Sequence, residues 1–364
     1  MGSKRNKALQ LIPELLKPKK RRIAYDPAQE PPQRRADVQS VYSVFHYNAT
    51  ELLEQQYSSI KDHQDLRKPG YITWINADGL KKEEVEQLCQ AFEVHPLLVE
   101  DILSIGQRAK MDEMDNRMFC LLPMIYFNNT AACIEFEQVS IVVGENFVLS
   151  FQEDATRDVF DPLRHRLRSG GQRLRERKAD YLCYSLLDVI VDSYFGVLEK
   201  LADKIDEIED ALLADRDATI LASISHLRKE VMLMKRSIAP VRELVGGFLR
   251  TGNQLVESRH EKYFKDVSDH IIQANDTCEN LRDMLSNLQD LYMNRINLRM
   301  NEVMKIFTMV SLLLAPATVI GGIFGMNFER IPLLHDQRGF YISVAAMLLI
   351  PLMMILYFKR KKWL

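Results

Sequence analysis

Amides, hydroxyls and one carboxylate recur along the C-terminal part of this chain. They are Asp290, Asn294, Asn297, Asn301, Thr308, Ser311 and Thr318, with Met304, Ala315 and Gly322 spaced among them. Just beyond lies the tripeptide Gly325-Met326-Asn327. Oxygen donors of this kind suit a hard cation handled through its water shell. Mg2+ is such an ion: it dehydrates reluctantly and demands octahedral oxygen geometry. A cage of carboxylates would hold the ion too tightly to release it, whereas conduction needs several weak sites. The stripe is free of charge from Thr308 onward. An Asn carbonyl and backbone groups at a water-exposed turn can hold a hydrated cation, so Gly325, Met326 and Asn327 are expected to form the filter.

A helix is needed to align these groups. At about 100° per residue, Asp290, Asn294, Asn297, Asn301, Met304, Thr308, Ser311, Ala315, Thr318 and Gly322 share an arc of roughly 120°. Phe307 stands beside that arc. Between Gly252 and Pro316 there are sixty-three residues without Gly or Pro, which predicts one very long helix. Ile306 to Phe324 and Phe340 to Phe358 are each nineteen residues without a charge, long enough to cross a bilayer core of about 30 Å. The long helix is therefore expected to start in the cytosol and end across the membrane. Small and hydroxyl residues at this spacing also serve plain helix–helix packing. The stripe's continuation through Asn297, Asn294 and Asp290 favours a pore. Two spans per chain cannot enclose one, so a pore requires an oligomer about a shared axis. Met304 and Phe307, bulky and near the cytosolic face, can gate by excluding water.

The sequence resembles the CorA family of magnesium transporters. The likeness centres on Gly325-Met326-Asn327 closing the first of two C-terminal spans, with Asn301-Glu302-Val303-Met304-Lys305 upstream and the basic end Lys359 to Lys362 downstream. Weaker likeness runs back through Glu100-Asp101-Ile102-Leu103 and His95-Pro96-Leu97 to about Val41. The resemblance implies a homopentameric funnel with the first span inside and the second facing lipid. It also implies a cytosolic magnesium sensor in which Glu100 and Asp101 of the α/β domain face Asp266 of a neighbouring subunit. Asp188 is a further candidate ligand.

The rest of the chain supplies the setting. The fold class expected is an α+β membrane protein, divided as follows: 1–39 a basic tail, 40–170 a cytosolic α/β domain, 171–250 long helices, 251–325 the pore helix with its span at about 304–325, 326–339 an external loop, 340–358 the second span and 359–364 a basic tail. Strands are expected at Tyr42 to Tyr47, Tyr71 to Ile75, Arg117 to Phe127, Ile134 to Val143 and Phe147 to Phe151. Helices are expected at Lys81 to Phe92, Pro96 to Leu103, Arg157 to Arg168, Asp180 to Leu213 and Ala218 to Val245, the last kinked or broken at Pro240. Basic residues flank both spans on one side (Arg295, Arg299 and Lys305; Lys359 to Lys362), which places both termini in the cytoplasm of an inner-membrane protein. No signal peptide is visible at Met1 to Leu16. Lys17 to Arg22 form a basic run, read as a solvated tail or a contact for anionic lipid.

Several functions are excluded or ranked by what remains. A formal net charge of −2 gives no basic signature for nucleic acid. No phosphate-binding loop or dinucleotide fingerprint is present, so no enzyme and no organic cofactor are expected. The five cysteines show no CxxC pairing and are read as free thiols. His95, His226, His260 and His270 have no ligand partners at zinc spacing and are read as structural or surface residues. Acidic residues such as Asp192, Asp203 and Asp206 are read as a solvated face. The function expected is membrane transport of Mg2+, with Co2+ and Ni2+ as further cargo. The rivals are a zinc transporter of the same superfamily, disfavoured by Met326, and a membrane-anchored metal sensor that conducts nothing.

Overall fold

The computed structural model describes residues 40–60, 66–170, 172–214, 219–250, 252–326, 332–333 and 337–361. The basic run Lys17 to Arg22, Asn327, and Trp363 with the last lysine lie outside the described residues. In chain order the elements are β1 (Val41–Tyr47), β2 (Leu52–Tyr57), β3 (Ile72–Asp78), α1 (Lys82–Ala91), α2 (Pro96–Leu103), β4 (Lys110–Met114), β5 (Arg117–Asn128), β6 (Cys133–Val143) and β7 (Phe147–Gln152). They continue as α3 (Asp161–Arg168), α4 (Gln172–Arg175), α5 (Ala179–Leu213), α6 (Ile220–Arg250), α7 (Glu261–Phe324) and α8 (Gln337–Arg360).

The seven strands form one sheet in the order β2-β1-β3-β7-β6-β5-β4. Every neighbouring pair is antiparallel except β3 with β7. One face carries α1 and α2, which bury Val85, Leu88, Phe92, Leu98 and Ile102 against Ile75, Phe119, Leu149 and Phe151. The other face carries α5 and α6. Helices on both faces explain why β7, Phe-Val-Leu-Ser-Phe-Gln, is buried at every position rather than at alternate ones. Trp74 is fully buried and its indole N–H donates to Ser150 Oγ at 3.0 Å. All five cysteines are free.

Two strands escaped the sequence reading. β2, Leu-Leu-Glu-Gln-Gln-Tyr, is an edge strand exposed along most of its length, so it has no apolar side to advertise. β4 has five residues, three of them charged. The helix expected from Arg157 starts later, at Asp161, after a short 3-10 turn at Ala155–Arg157. Pro240 does not break α6, which runs unbroken through it. Proline costs a helix one hydrogen bond, and here its ring is buried in the packed face.

The chain divides into two compact units, Met1–Ser286 and Asn287–Leu364. Among the described residues, three helices are long and apolar enough to cross a membrane by length and composition. In α5 the apolar window is 67% buried, but in α7 and α8 only 6%. Helix α5 has thus found its apolar partner in the sheet and α6. The apolar stretches of α7 and α8 stay largely bare.

Candidate functional site

Every stripe residue stands on the open surface of α7. Asp290, Asn294, Asn297, Asn301, Met304, Phe307, Thr308, Ser311, Ala315, Thr318 and Gly322 are all exposed. The shielded positions lie elsewhere: Met309, Leu313, Pro316, Ala317, Ile320 and Phe324. At about 100° per residue, their mean direction is roughly 150° from that of the stripe. On α8 the shielded line is Gly339, Ser343, Ala346, Met347, Ile350, Met354 and Phe358. A Cβ placed on Gly321 would meet Met347 Cε at 3.9 Å. The second span thus covers the back of the first and leaves the polar stripe free. The outer surface of α8 is apolar, with Phe340, Leu348 and Leu356 all more than 60% exposed.

The stripe hydroxyls have one orientation. Thr308 Oγ1 donates to the Met304 carbonyl at 2.8 Å, Ser311 Oγ to Phe307 at 2.9 Å and Thr318 Oγ1 to Leu314 at 3.1 Å. With each proton committed to the backbone, the oxygens keep lone pairs as acceptors. Water bound to a cation turns its hydrogens outward and needs acceptors of this kind.

Helix α7 ends at Phe324, just before Gly325. Gly325 N–H still donates to the Gly321 carbonyl at 2.9 Å, and Met326 N–H reaches Ile323 at 3.3 Å. A side chain on Gly325 would sit 3.1 Å from the Gly321 oxygen and 3.7 Å from the Gly322 oxygen, so glycine lets the chain turn against its own last carbonyls. Further on, the Leu333 carbonyl lies where any side chain at Gly339 would have to go. Asn327, the last residue of the Gly325-Met326-Asn327 tripeptide, lies outside the described residues.

The candidate carboxylates outside the spans divide into two places. Asp101, on α2, is held by Lys110 Nζ at 2.5 Å and Gln107 Nε2 at 2.8 Å. Lys110 also touches Asp112 at 3.0 Å. Burial alone would lower the Lys110 ammonium, but its hydrogen bonds to Asp101 and Asp112 outweigh that and hold it above its ordinary range. Neighbouring Glu100 is half-buried. Asp188 sits on α5 one turn before Asp192, and His270 reaches them from α7. The ligating atoms of these three lie within 4.8 Å of one another. Among the described residues no other group of three ligating side chains comes so close. His270 Nδ1 is 3.4 Å from Asp192 Oδ1, shut off from solvent and without an aligned hydrogen bond. Burial, and then the Asp192 charge, push the Asp188 carboxyl above its usual range against the opposing Tyr184 hydroxyl, which donates at 3.3 Å. Burial raises Tyr184 as well, followed by Asp188, with Asp266 adding to the same field. Like charges crowded beside a shielded imidazole are relieved by a divalent cation.

A family model described as CorA-like Mg2+ transporter protein matches residues 69–360. The chain belongs to the CorA family. The cobalt/magnesium transport protein CorA of Thermotoga maritima is 38% identical over 322 residues, covering 88% of this chain and 92% of that protein. The CorA of Methanocaldococcus jannaschii is 26% identical over 294 residues, covering 80% and 91%. The complete solved structure of the CorA magnesium transporter from that organism superimposes with a TM-score of 0.72 at 24% identity, covering 90% of this chain and 99% of that one. That likeness shows the fold: an α/β domain, long helices and two apolar C-terminal spans. CorA membership sets the chain among membrane transporters and not among enzymes.

The sequence reads His270 as a structural or surface residue and Asp192 as part of a solvated face. The structure leaves Asp192 59% exposed and sets it with Asp188 close enough to His270 that the three could hold an ion. The i, i+4 spacing of Asp188 and Asp192 on one helix was a visible signal. The approach of α7 to that pair was not, because 78 residues separate His270 from Asp192.

Proposed function

We propose that this chain builds a homopentameric channel for hydrated Mg2+, with Co2+ and Ni2+ as further cargo, in the inner membrane with both termini cytoplasmic. One observation carries the reading: the polar stripe of α7 is exposed from Asp290 to Gly322 while α8 covers the opposite side. Copies arranged about an axis would turn the stripes inward and the apolar faces of α8 toward lipid. Asn327 receives the hydrated ion at the external mouth. The hydroxyls of Thr318, Ser311 and Thr308 then accept hydrogen bonds from its water shell. Met304 and Phe307 narrow the path, and Asn301, Asn297, Asn294 and Asp290 lead the ion out. Influx is driven by the membrane potential, worth about 4.6 kcal/mol per 100 mV for a divalent ion at about 2.3 per charge.

Cytosolic Mg2+ closes the path by occupying carboxylates. Within one chain, Asp188, Asp192 and His270 offer a site. Between chains, Glu100 and Asp101 face Asp266, and Lys110 stands in for the cation on Asp101 until the subunits draw together. Bound ions stabilise the closed arrangement in proportion to their preference for it.

The test is uptake of Mg2+ and Co2+ by proteoliposomes holding the purified chain, with and without an imposed inside-negative potential. Uptake that grows with the potential is expected. No uptake at any potential would leave the chain a membrane-anchored sensor.

A further inference from the structure

The start of α7 is tied to the start of α5 by side chains shut off from solvent. Asp180 and His260 are fully buried. Asp180 Oδ2 accepts from His260 Nδ1 at 2.7 Å and from the Glu257 backbone N–H at 2.9 Å, and its Oδ1 accepts from the Tyr181 N–H at 2.9 Å. On the far side of the imidazole, Arg177 Nη1 donates to Nε2 at 2.9 Å. A guanidinium can only donate. Nε2 must therefore offer its lone pair, and Nδ1 must carry the proton toward Asp180. The buried carboxylate is answered by the guanidinium through one neutral imidazole of fixed tautomer. Tyr181 packs against that imidazole, with ring centroids 5.3 Å apart.

From this point the two helices run in the same direction, in step. Asp180 meets His260; Tyr184 meets Tyr263 and Phe264, with centroids 5.1 and 6.1 Å apart; Asp192 and Phe195 meet His270. Asp188 and Asp192 thus lie two to three turns beyond the Asp180 contact, and His270 about as far beyond His260. A slip of one residue would move His270 by about 1.5 Å along the axis and about 100° around it. That is enough to take its Nδ1 out of reach of both carboxylates.

We propose that the Asp180–His260–Arg177 relay is the register lock of the Asp188–Asp192–His270 cluster and sets its affinity for divalent cations from the far end of the helix pair. The inference rests on reading that cluster as a cation site. Asp180, His260 and Arg177 are positioning residues; none touches the ion. Coupling between two separate sites typically changes an affinity by about 5–150-fold.

The experiment uses the full chain in detergent and measures the Mg2+ and Co2+ concentrations that give half-maximal protection from protease, below the unfolding temperature of every variant. His260→Ala removes both links of the relay and is expected to weaken half-protection about tenfold. His260→Gln restores one donor and one acceptor, and should return it to within about threefold of the parent. Rescue by glutamine is the result that plain packing would not give. If His260→Ala does not fold, Arg177→Met, which keeps the Asp180–His260 contact, is expected to weaken half-protection several-fold. An unchanged titration in a folded His260→Ala or Arg177→Met variant, or failure of glutamine to rescue, overturns the lock. Asp192→Asn is measured alongside. If it too leaves the titration unchanged, the cluster is not a cation site and the underlying reading has failed instead.

Discussion

Helix α5 and the C-terminal part of α7 are alike in composition and opposite in circumstance. Both contain a stretch apolar enough to cross a membrane, yet α5 is mostly buried within the protein and α7 is almost bare. The polar groups follow the same division. In α5 they gather where another element can answer them: Asp180 with His260, Asp192 with His270. In α7 they run along an unanswered face, and the hydroxyls satisfy themselves on their own backbone. An apolar helix with an apolar partner becomes a core. An apolar helix with a polar stripe and a partner on its back keeps surface to spare, which in the proposed channel meets lipid and further copies.

The sharpest way to break this comparison is at the mouth of the path. Asn327→Ala should abolish Mg2+ uptake by proteoliposomes while the oligomer elutes unchanged from a sizing column. Normal uptake would remove the filter from the Gly325-Met326-Asn327 turn. Next in size is a paired truncation. Leu198→Ala on α5, at 2% exposure, should cost the soluble unit about 2–5 kcal/mol in chemical unfolding. Leu348→Ala on α8, at 69% exposure, should leave that transition where it is. Equal losses would show that the two apolar helices share one solvent after all.

The buried acids of the soluble unit give a pH signature that the stripe cannot. Glu137 is pushed up to about 7, chiefly by burial, although the Asp154 and Glu153 N–H groups and the Tyr126 hydroxyl oppose the shift. Its folded value lies above its unfolded one, so the stability it lends is complete below about pH 4.5 and is lost as pH rises through about 7. Glu137→Gln should flatten the fall in stability between those limits by up to roughly 3 kcal/mol. An unaltered pH profile in that variant would place the titration elsewhere. The smallest effect is expected at the constriction. Changing Met304 and Phe307 together to Ser should raise flux at high internal Mg2+ by a few-fold, read as Co2+ uptake into Mg2+-loaded vesicles. If flux stays fully inhibited, the barrier lies at Asn301 or Asp290.

How far the sequence could be read depended on the range over which each feature is encoded. The spans, the stripe and the end of α7 at Gly325 are local facts of composition and helical period, so Ile306 to Phe324 and Phe340 to Phe358 were visible as runs. β1, β5, β6 and β7 were visible for the same reason. β2 was lost because most of its side chains face water and no alternation marks it. β4 was lost because Lys110, Asp112 and Glu113 mask its extended form. Lys110 also supplied a surprise, since nothing in the spacing announced that it would claim Asp101.

By itself, the sequence determined which segments seek an apolar solvent and which face of α7 is polar, because hydropathy and the 3.6-residue period act within a few turns. Only the tertiary structure showed what the apolar face of α5 packs on, since nothing within one helix names the sheet and the α6 face that cover it. Only it could join β3 to β7 in parallel across some seventy residues of chain. And only it could set His270 beside Asp188 and Asp192. That meeting depends on the register of two separate helices, fixed by a buried Asp180–His260 contact that no periodicity in either helix encodes.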